Sequence, residues 1–184
     1  MRVEMRLNGA GRSIDVTPNE LLLDVLRDRL SLTGAKRSCD VQVCGTCTVL
    51  IDGEPVSSCT YLAVETDGHD VLTIEGLREL PAFERIADAF TRHAALQCGF
   101  CTPAMALTIH ALLTDGELTD EASIRRGLSG NLCRCTGYRA ILDAVGELAD
   151  ADSGRARAEG PGHAAGRTAG PGHAAGPGPA GVAP

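Results

Sequence analysis

The chain has 184 residues, a formal net charge of −7 and eight cysteines. This length allows one or two small domains, and the acidic balance gives a nucleic-acid partner no electrostatic support. The longest mostly apolar run, residues 104–113, is too short to cross a membrane, and the N-terminus has no signal-peptide pattern. We therefore expect a cytoplasmic protein with neither a membrane nor a nucleic-acid partner.

The chain begins with a predicted β-hairpin. Apolar and charged residues alternate over residues 3–7, as in a half-buried strand. Asn8-Gly9 is a strong hairpin turn signal, and residues 13–16 can form the returning strand.

A helix and further strands are predicted to complete the first domain. Thr17 is the expected N-cap, Pro18 the first helical residue, and Glu20 completes a capping box. Strands are expected at residues 48–51 and 71–75. Two strands, a helix and further strands indicate an α+β domain over residues 1–78, with a β-grasp sheet like that of plant-type ferredoxins.

The pattern becomes helical over residues 79–150. Apolar residues recur at helical spacing over 83–90, and Thr102-Pro103 begins a second, largely buried helix. A short helix is expected at 122–128, and a last one has its apolar face over 138–148. These four helices predict a small four-helix-bundle domain.

From residue 151 to residue 184 the composition changes to Gly, Pro, Ala and His, and the segment GPGHAAG occurs twice. Such a segment buries too little apolar surface to offset its ordering entropy. We therefore predict a disordered C-terminal tail.

The eight cysteines fall into two tetrads, and in the reducing cytosol such a number favours metal over disulfides. The first tetrad is Cys39, Cys44, Cys47 and Cys59. Its spacing, C-x4-C-x2-C with a distant fourth cysteine, is the one that plant-type ferredoxins use for a [2Fe–2S] cluster. Gly45 lets the backbone approach the inorganic sulfide closely. A zinc site is the alternative, since Cys44 and Cys47 form the C-x2-C pair that zinc prefers.

The second tetrad is Cys98, Cys101, Cys133 and Cys135, and each half of it directly precedes a predicted helix. Helix N-termini favour an anionic centre because they present unsatisfied N–H groups. The spacing alone does not separate zinc from an iron–sulfur cluster.

Four segments resemble one known family, the small iron–sulfur subunits of the molybdenum hydroxylases, which include xanthine dehydrogenase, aldehyde oxidoreductase and carbon monoxide dehydrogenase. They are GAKRSCDVQVCGTCTVLIDG, SCTYLA, LQCGFCTPAM and SGNLCRCTGYRAI. The resemblance covers roughly residues 1–150, and the last two segments are highly specific.

The resemblance implies one [2Fe–2S] cluster in each domain, with the two tetrads as ligands. It also implies that Gln97 and Cys135 approach the molybdopterin of a large partner subunit, and that a medium partner subunit binds FAD. Electrons released by substrate hydroxylation would pass through the helical-domain cluster, then the ferredoxin-domain cluster, then to FAD or another acceptor. The chain itself would have no substrate site and no catalytic residue.

Three positions depart from the family pattern. At the position of Gln42 the family often has Gly or Ser, and at the position of Ser38 it often has Gly. Ala104 stands where the family frequently has Gly. None is a predicted ligand, so we expect altered loop detail or potential rather than lost clusters.

Two other functions are alternatives to that of an electron-transfer subunit. A free two-cluster ferredoxin would leave Gln97 and the apolar helical half unexplained. A zinc-stapled interaction module would be colourless and would contain zinc.

Overall fold

The computed structural model describes residues 1–159, and a mixed five-stranded sheet occupies its first half. The strands are β1 (Arg2–Leu7), β2 (Ala10–Asp15), β3 (Thr48–Ile51), β4 (Glu54–Ser57) and β5 (Asp70–Leu72). Their spatial order is β2-β1-β5-β3-β4. β1 and β5 run parallel, and the other neighbouring strands are antiparallel. The mixed sheet followed by helices confirms the α+β class expected from the sequence.

The first helix starts later than predicted. Residues Thr17 to Glu20 form a turn, in which the Glu20 N–H donates to the Thr17 carbonyl at 3.1 Å, so the expected N-cap at Thr17 is wrong. The Glu20 carboxylate does accept the Thr17 N–H, at 3.0 Å, as in a capping box. Helix α1 spans Leu22–Asp24 and continues as a π-helical turn, Val25–Arg29. Its first N–H groups are already satisfied by residues distant in sequence.

The last strand is shorter than predicted. β5 ends at Leu72, and Ile74–Leu77 forms helix α2 instead of continuing the strand. The side chain of Asn8 accepts the Thr73 N–H at 2.8 Å, which removes that donor from the sheet ladder. The hairpin turn signal therefore has a second role, because the same Asn ends β5.

Four longer helices form the second half: α3 (Pro81–Arg92), α4 (Thr102–Asp115), α5 (Glu121–Gly127) and α6 (Arg139–Glu159). Helix α4 packs against α3, α5 and α6 and also covers β3 and β4. Leu50 of β3 is 2% exposed and belongs to the core of the helices. The sheet and the helices therefore share one interface, which fixes the cysteine loops relative to each other.

Helix α6 differs from the prediction at both of its ends. It begins at Arg139, because Tyr138 has a left-handed backbone with φ of 69°. It continues past residue 150 to Glu159, so the predicted disordered tail does not begin at residue 151. Residues 151–159 include three Ala and two Arg, which are good helix formers, and Asp152 pairs with Arg85 of α3. Residues 160–184, with both GPGHAAG segments, lie outside the described residues.

Among residues 1–159, none of the helices combines the length and the apolar character that a membrane crossing requires.

Candidate metal centres

The first three cysteines lie on the loop between the π-helical turn and β3, and the loop winds around the thiol of Cys39. Asp40, Gln42 and Gly45 have left-handed backbones, with φ of 55°, 58° and 66°. These turns direct the N–H groups of Val43 and Cys44 to the Cys39 sulfur, each at 3.4 Å. The left-handed Gln42 also explains why the family often has Gly there, since Gly adopts this conformation without strain.

The thiols of this loop have opposite electrostatic surroundings. The N–H groups of Val41, Cys44 and Val43 lower the pKa of Cys39 to about 6. Burial raises the pKa of Cys47 to about 11. Cys47 and Cys59 are each 3% exposed, and their side chains are in contact. The first tetrad therefore has one thiol pair near the surface, Cys39 with Cys44, and one pair in the core, Cys47 with Cys59.

The second tetrad lies on the loops that precede α4 and α6, as predicted. The sulfurs of Cys98 and Cys135 are 3.5 Å apart and exposed. The side chains of Cys101 and Cys133 form the inner pair. Burial, followed by the neighbouring Cys133, raises the pKa of Cys101 to about 12.

Thr136 supports this inner pair. Its hydroxyl donates to the Cys133 sulfur at 3.1 Å and its N–H donates at 3.5 Å. Burial alone would raise the pKa of Cys133, but the Thr136 donors leave it below its usual value. The thiolate form of Cys133 is therefore stabilised in the folded chain.

The two cysteine loops touch each other. The Leu132 N–H donates to the Cys44 carbonyl at 2.9 Å. The buried Asn131 side chain donates to the Gly45 carbonyl at 3.1 Å. A Cβ atom on Gly45 would lie only 2.0 Å from the Gly130 carbonyl oxygen. A cavity of about 540 Å³ lies between the loops, and six residues that matter to the site line it: Cys44, Cys98, Cys101, Cys133, Cys135 and Arg134.

The thiols of each tetrad contact each other in pairs. The two pairs of each tetrad are close enough to interact electrostatically. A tetrahedral zinc needs four thiolates around one ion, whereas a [2Fe–2S] cluster takes two thiolates on each of two irons. The residues present fit the binuclear cluster.

Comparison with known protein families assigns both halves. Residues 5–73 match the model of a 2Fe-2S iron-sulfur cluster binding domain. Residues 73–146 match the model of a [2Fe-2S] binding domain. Together the two models span residues 5–146, which include most of the sheet and helices α2 to α5 and end within α6.

Individual relatives place the chain more narrowly. It is 44% identical to the 6-hydroxypseudooxynicotine dehydrogenase complex subunit beta of Paenarthrobacter nicotinovorans, over 78% of this chain and 91% of that protein. It is 39% identical to the xanthine dehydrogenase iron-sulfur-binding subunit of Escherichia coli O157:H7, with the same coverages. The chain belongs to the iron–sulfur subunits of the molybdenum hydroxylase family.

Solved structures agree with this family assignment. The iron–sulfur subunit superposes on a chain of quinoline 2-oxidoreductase from Pseudomonas putida 86 with a TM-score of 0.75 and 44% identity. The match covers 84% of this chain and 96% of that chain. Aldehyde oxidoreductase from Desulfovibrio gigas gives a TM-score of 0.76 and 33% identity, but the match covers only 17% of its much longer chain.

The resemblance predicts that Gln97 and Cys135 approach the molybdopterin of a partner subunit. Both are exposed, and Gln97 directly precedes Cys98. Of the arginines near the second tetrad, Arg125 and Arg139 are engaged by Glu121. Their charge is therefore partly neutralised locally.

Arg134 is the arginine of this region that lies within the second tetrad itself. It is exposed, lies between two cysteines of the second tetrad and lines the cavity. It forms no salt bridge with any residue that the structure describes. Arg134 is thus an available positive charge beside the second tetrad.

Three residues of this site are not found by reasoning from cysteine spacing. They are Asn131, Thr136 and Tyr138, which contact the cysteine loops through polar groups. The available signal is their position within SGNLCRCTGYRAI, the segment that carries the resemblance. Tyr138 is instead predicted as part of the apolar face of the last helix, and that interpretation misses its hydroxyl.

Proposed function

We propose that this chain is the electron-transfer subunit of a molybdenum-cofactor-dependent hydroxylase or dehydrogenase. It relays electrons from the molybdopterin centre of a partner subunit towards FAD or another acceptor, and it has no substrate site of its own. Residues 1–78 are the ferredoxin-like domain and 79–150 the four-helix domain. The ligands are Cys39, Cys44, Cys47 and Cys59 for one [2Fe–2S] cluster, and Cys98, Cys101, Cys133 and Cys135 for the other.

The observation that carries this proposal is the direct contact between the two cysteine loops. The Leu132 N–H, one residue before Cys133, donates to the carbonyl of Cys44 at 2.9 Å. Two structural zinc sites have no need of such a link, whereas two redox centres must be close to exchange electrons. When bound, each cluster supplies reversible one-electron chemistry.

The chain's own groups set the environment of each centre. N–H groups of Val43 and Cys44 at the Cys39 sulfur, and Thr136 at the Cys133 sulfur, favour negative charge at those thiolates. Such donors raise the reduction potential of an iron–sulfur centre, because the reduced state is the more negative one. The nearly complete burial of Cys47 excludes water from the inner side of the first centre.

The second centre is the one we place against a large molybdopterin-binding subunit. Cys98, Cys135 and Gln97 are exposed on this side. Phe100 and Leu132 beside them are 44% and 48% exposed, which is unusual for large apolar side chains. Exposed apolar residues around exposed ligands favour a protein partner that covers them.

The first centre is the one we place against a medium FAD-binding subunit. Val41 and Val43 on its loop are 64% and 60% exposed, so this loop also has an apolar surface without a partner in the described chain. The relatives that carry the names of a dehydrogenase complex subunit and of a xanthine dehydrogenase iron-sulfur-binding subunit support membership in such an assembly.

The test is low-temperature EPR of the anaerobically purified, dithionite-reduced protein, with iron, sulfide and zinc measured on the same sample. We expect two distinct S = 1/2 signals and about four irons per chain, as two [2Fe–2S] centres require. An EPR-silent, colourless sample with stoichiometric zinc would contradict the electron-transfer function and leave a structural module.

A further inference from the structure

Tyr138 occupies an unusual position directly before helix α6. Its backbone is left-handed, with φ of 69°, and its side chain packs against the core of the helices. Its hydroxyl accepts the Cys133 N–H at 2.8 Å and donates to the Asn131 carbonyl at 3.0 Å. One hydroxyl therefore bridges the two backbone groups on either side of Leu132.

The bridged segment is also the one that contacts the first cysteine loop. The Leu132 N–H donates to the Cys44 carbonyl. The side chain of Asn131, which is 4% exposed, donates to the Gly45 carbonyl at 3.1 Å and to the Thr48 hydroxyl at 3.4 Å. Residues 131–133 are thus held from two sides, by Tyr138 on one and by residues 44–48 on the other.

The hydroxyl controls the orientation of the linking peptide. With both of its hydrogen bonds made, the Asn131 carbonyl and the Cys133 N–H have fixed directions, and the Leu132 N–H between them points at Cys44. Without it, these two backbone groups turn to water, because the segment borders an open cavity. The Leu132 peptide then loses the constraint that aims it.

We propose that the Tyr138 hydroxyl is a positioning group that fixes the separation of the two cluster sites, by holding residues 131–133 against the Cys44–Gly45 peptide. It acts through the backbone groups of Asn131 and Cys133. This inference rests on the proposed function, because a separation between centres matters only if both tetrads hold clusters.

The test compares Tyr138→Phe with Tyr61→Phe in the iron-loaded protein. Tyr61 is the only other tyrosine, and its hydroxyl donates to the Glu65 carbonyl at 3.4 Å, away from the contact between the loops. For Tyr138→Phe we expect about four irons and both EPR signals to remain. Amide exchange at Leu132, followed by mass spectrometry, should accelerate about tenfold, as the loss of one net hydrogen-bond contribution requires. The spin–spin splitting between the two reduced centres should change, and Tyr61→Phe should leave both readouts as in the wild type.

The outcomes distinguish a failure of the Tyr138 role from a failure of the proposed function. Unchanged exchange and unchanged splitting in Tyr138→Phe, with four irons present, would overturn the role of Tyr138 and leave the proposed function intact. Loss of iron from Tyr138→Phe would show that Tyr138 is needed to retain a cluster and does not merely set the separation of the two cluster sites. That result also overturns the proposal. A wild-type protein without two [2Fe–2S] centres would overturn both the Tyr138 role and the proposed function.

Discussion

Gly45 is the position where a single added methyl group tests the contact between the two cysteine loops. Its backbone is left-handed, with φ of +66°, and a Cβ atom would lie 2.0 Å from the Gly130 carbonyl oxygen and 2.9 Å from the Asn131 amide nitrogen. Ordinary van der Waals contact begins at 3.4 Å. In Gly45→Ala the loops must therefore separate by about 1.4 Å.

The expected cost follows from what this movement breaks. The left-handed conformation costs alanine roughly 1 kcal/mol. A displacement of this size removes the hydrogen bonds from Leu132 to Cys44 and from Asn131 to Gly45, each with a net value of about 0.5–1.5 kcal/mol. The free energy of unfolding should fall by about 2–4 kcal/mol in total.

Gly116→Ala is the matched control. Gly116 ends helix α4 with φ of +70°, nearly the same conformation, and an added Cβ would meet nothing within 4 Å. This variant should lose only the conformational cost, about 1 kcal/mol. The measurement is anaerobic urea unfolding of the iron-loaded proteins, followed by visible absorbance and iron release. If the free energy of unfolding of Gly45→Ala equals that of Gly116→Ala within experimental error, and both EPR signals are unaltered, the contact between the loops does not contribute about 1–3 kcal/mol to stability.

Four further outcomes are expected. Cys44→Ser should lose or distort the ferredoxin-type centre and stop electron exit while the molybdenum half-reaction continues, and steady-state turnover of the assembled complex with its natural acceptor is the check. Cys135→Ala should damage the other centre, so normal reduction of the remaining cluster by substrate would contradict its place in the relay. In metal-free protein at pH 7, iodoacetamide should modify Cys39 far faster than Cys47, because the pKa of Cys39 is lowered to about 6 by backbone N–H groups and that of Cys47 is raised to about 11 by burial. Raising the pH towards 11 should narrow this difference in peptide mass spectra, and equal labelling at pH 7 would refute the assigned environments. Thr108→Val should raise the free energy of unfolding by about 1 kcal/mol, because the buried Thr108 hydroxyl has no hydrogen-bond partner among the residues that the structure describes. Denaturant titration measures this change, and a loss of stability would refute it.

The features that could be predicted from the sequence are those set by local chemistry. Thr102-Pro103 predicts the start of α4, and the structure confirms it, because proline favours the first helical turn through its own ring geometry. The Asn8-Gly9 turn is confirmed for the same kind of reason: both residues have positive φ, as a tight hairpin requires.

The features that could not be predicted depend on distant partners. Helix α1 begins at Leu22 rather than near Thr17, because the Leu22 N–H bonds the Tyr61 carbonyl, far along the chain. The role of Asn131 is hidden for the same reason, since its partner Gly45 lies 86 positions away. Local hydrophobic pattern and capping signals around these two residues do not encode such a contact.

The contact between the loops shows that the two predicted domains are not structurally independent. The proposed boundary after residue 78 separates the two cysteine tetrads and nearly separates two core clusters, but the two halves are packed against each other. Leu50 of β3 is packed among the helices, and α4 covers β3 and β4. A flexible linker between two ferredoxin-like units would let the distance between their centres vary, and the rate of electron exchange would vary with it. Here the packing of α4 on the sheet, the Gly45 approach and the Leu132 hydrogen bond fix the two cysteine loops relative to each other, so in the proposed relay the spacing of the centres is set by the fold and not by a linker.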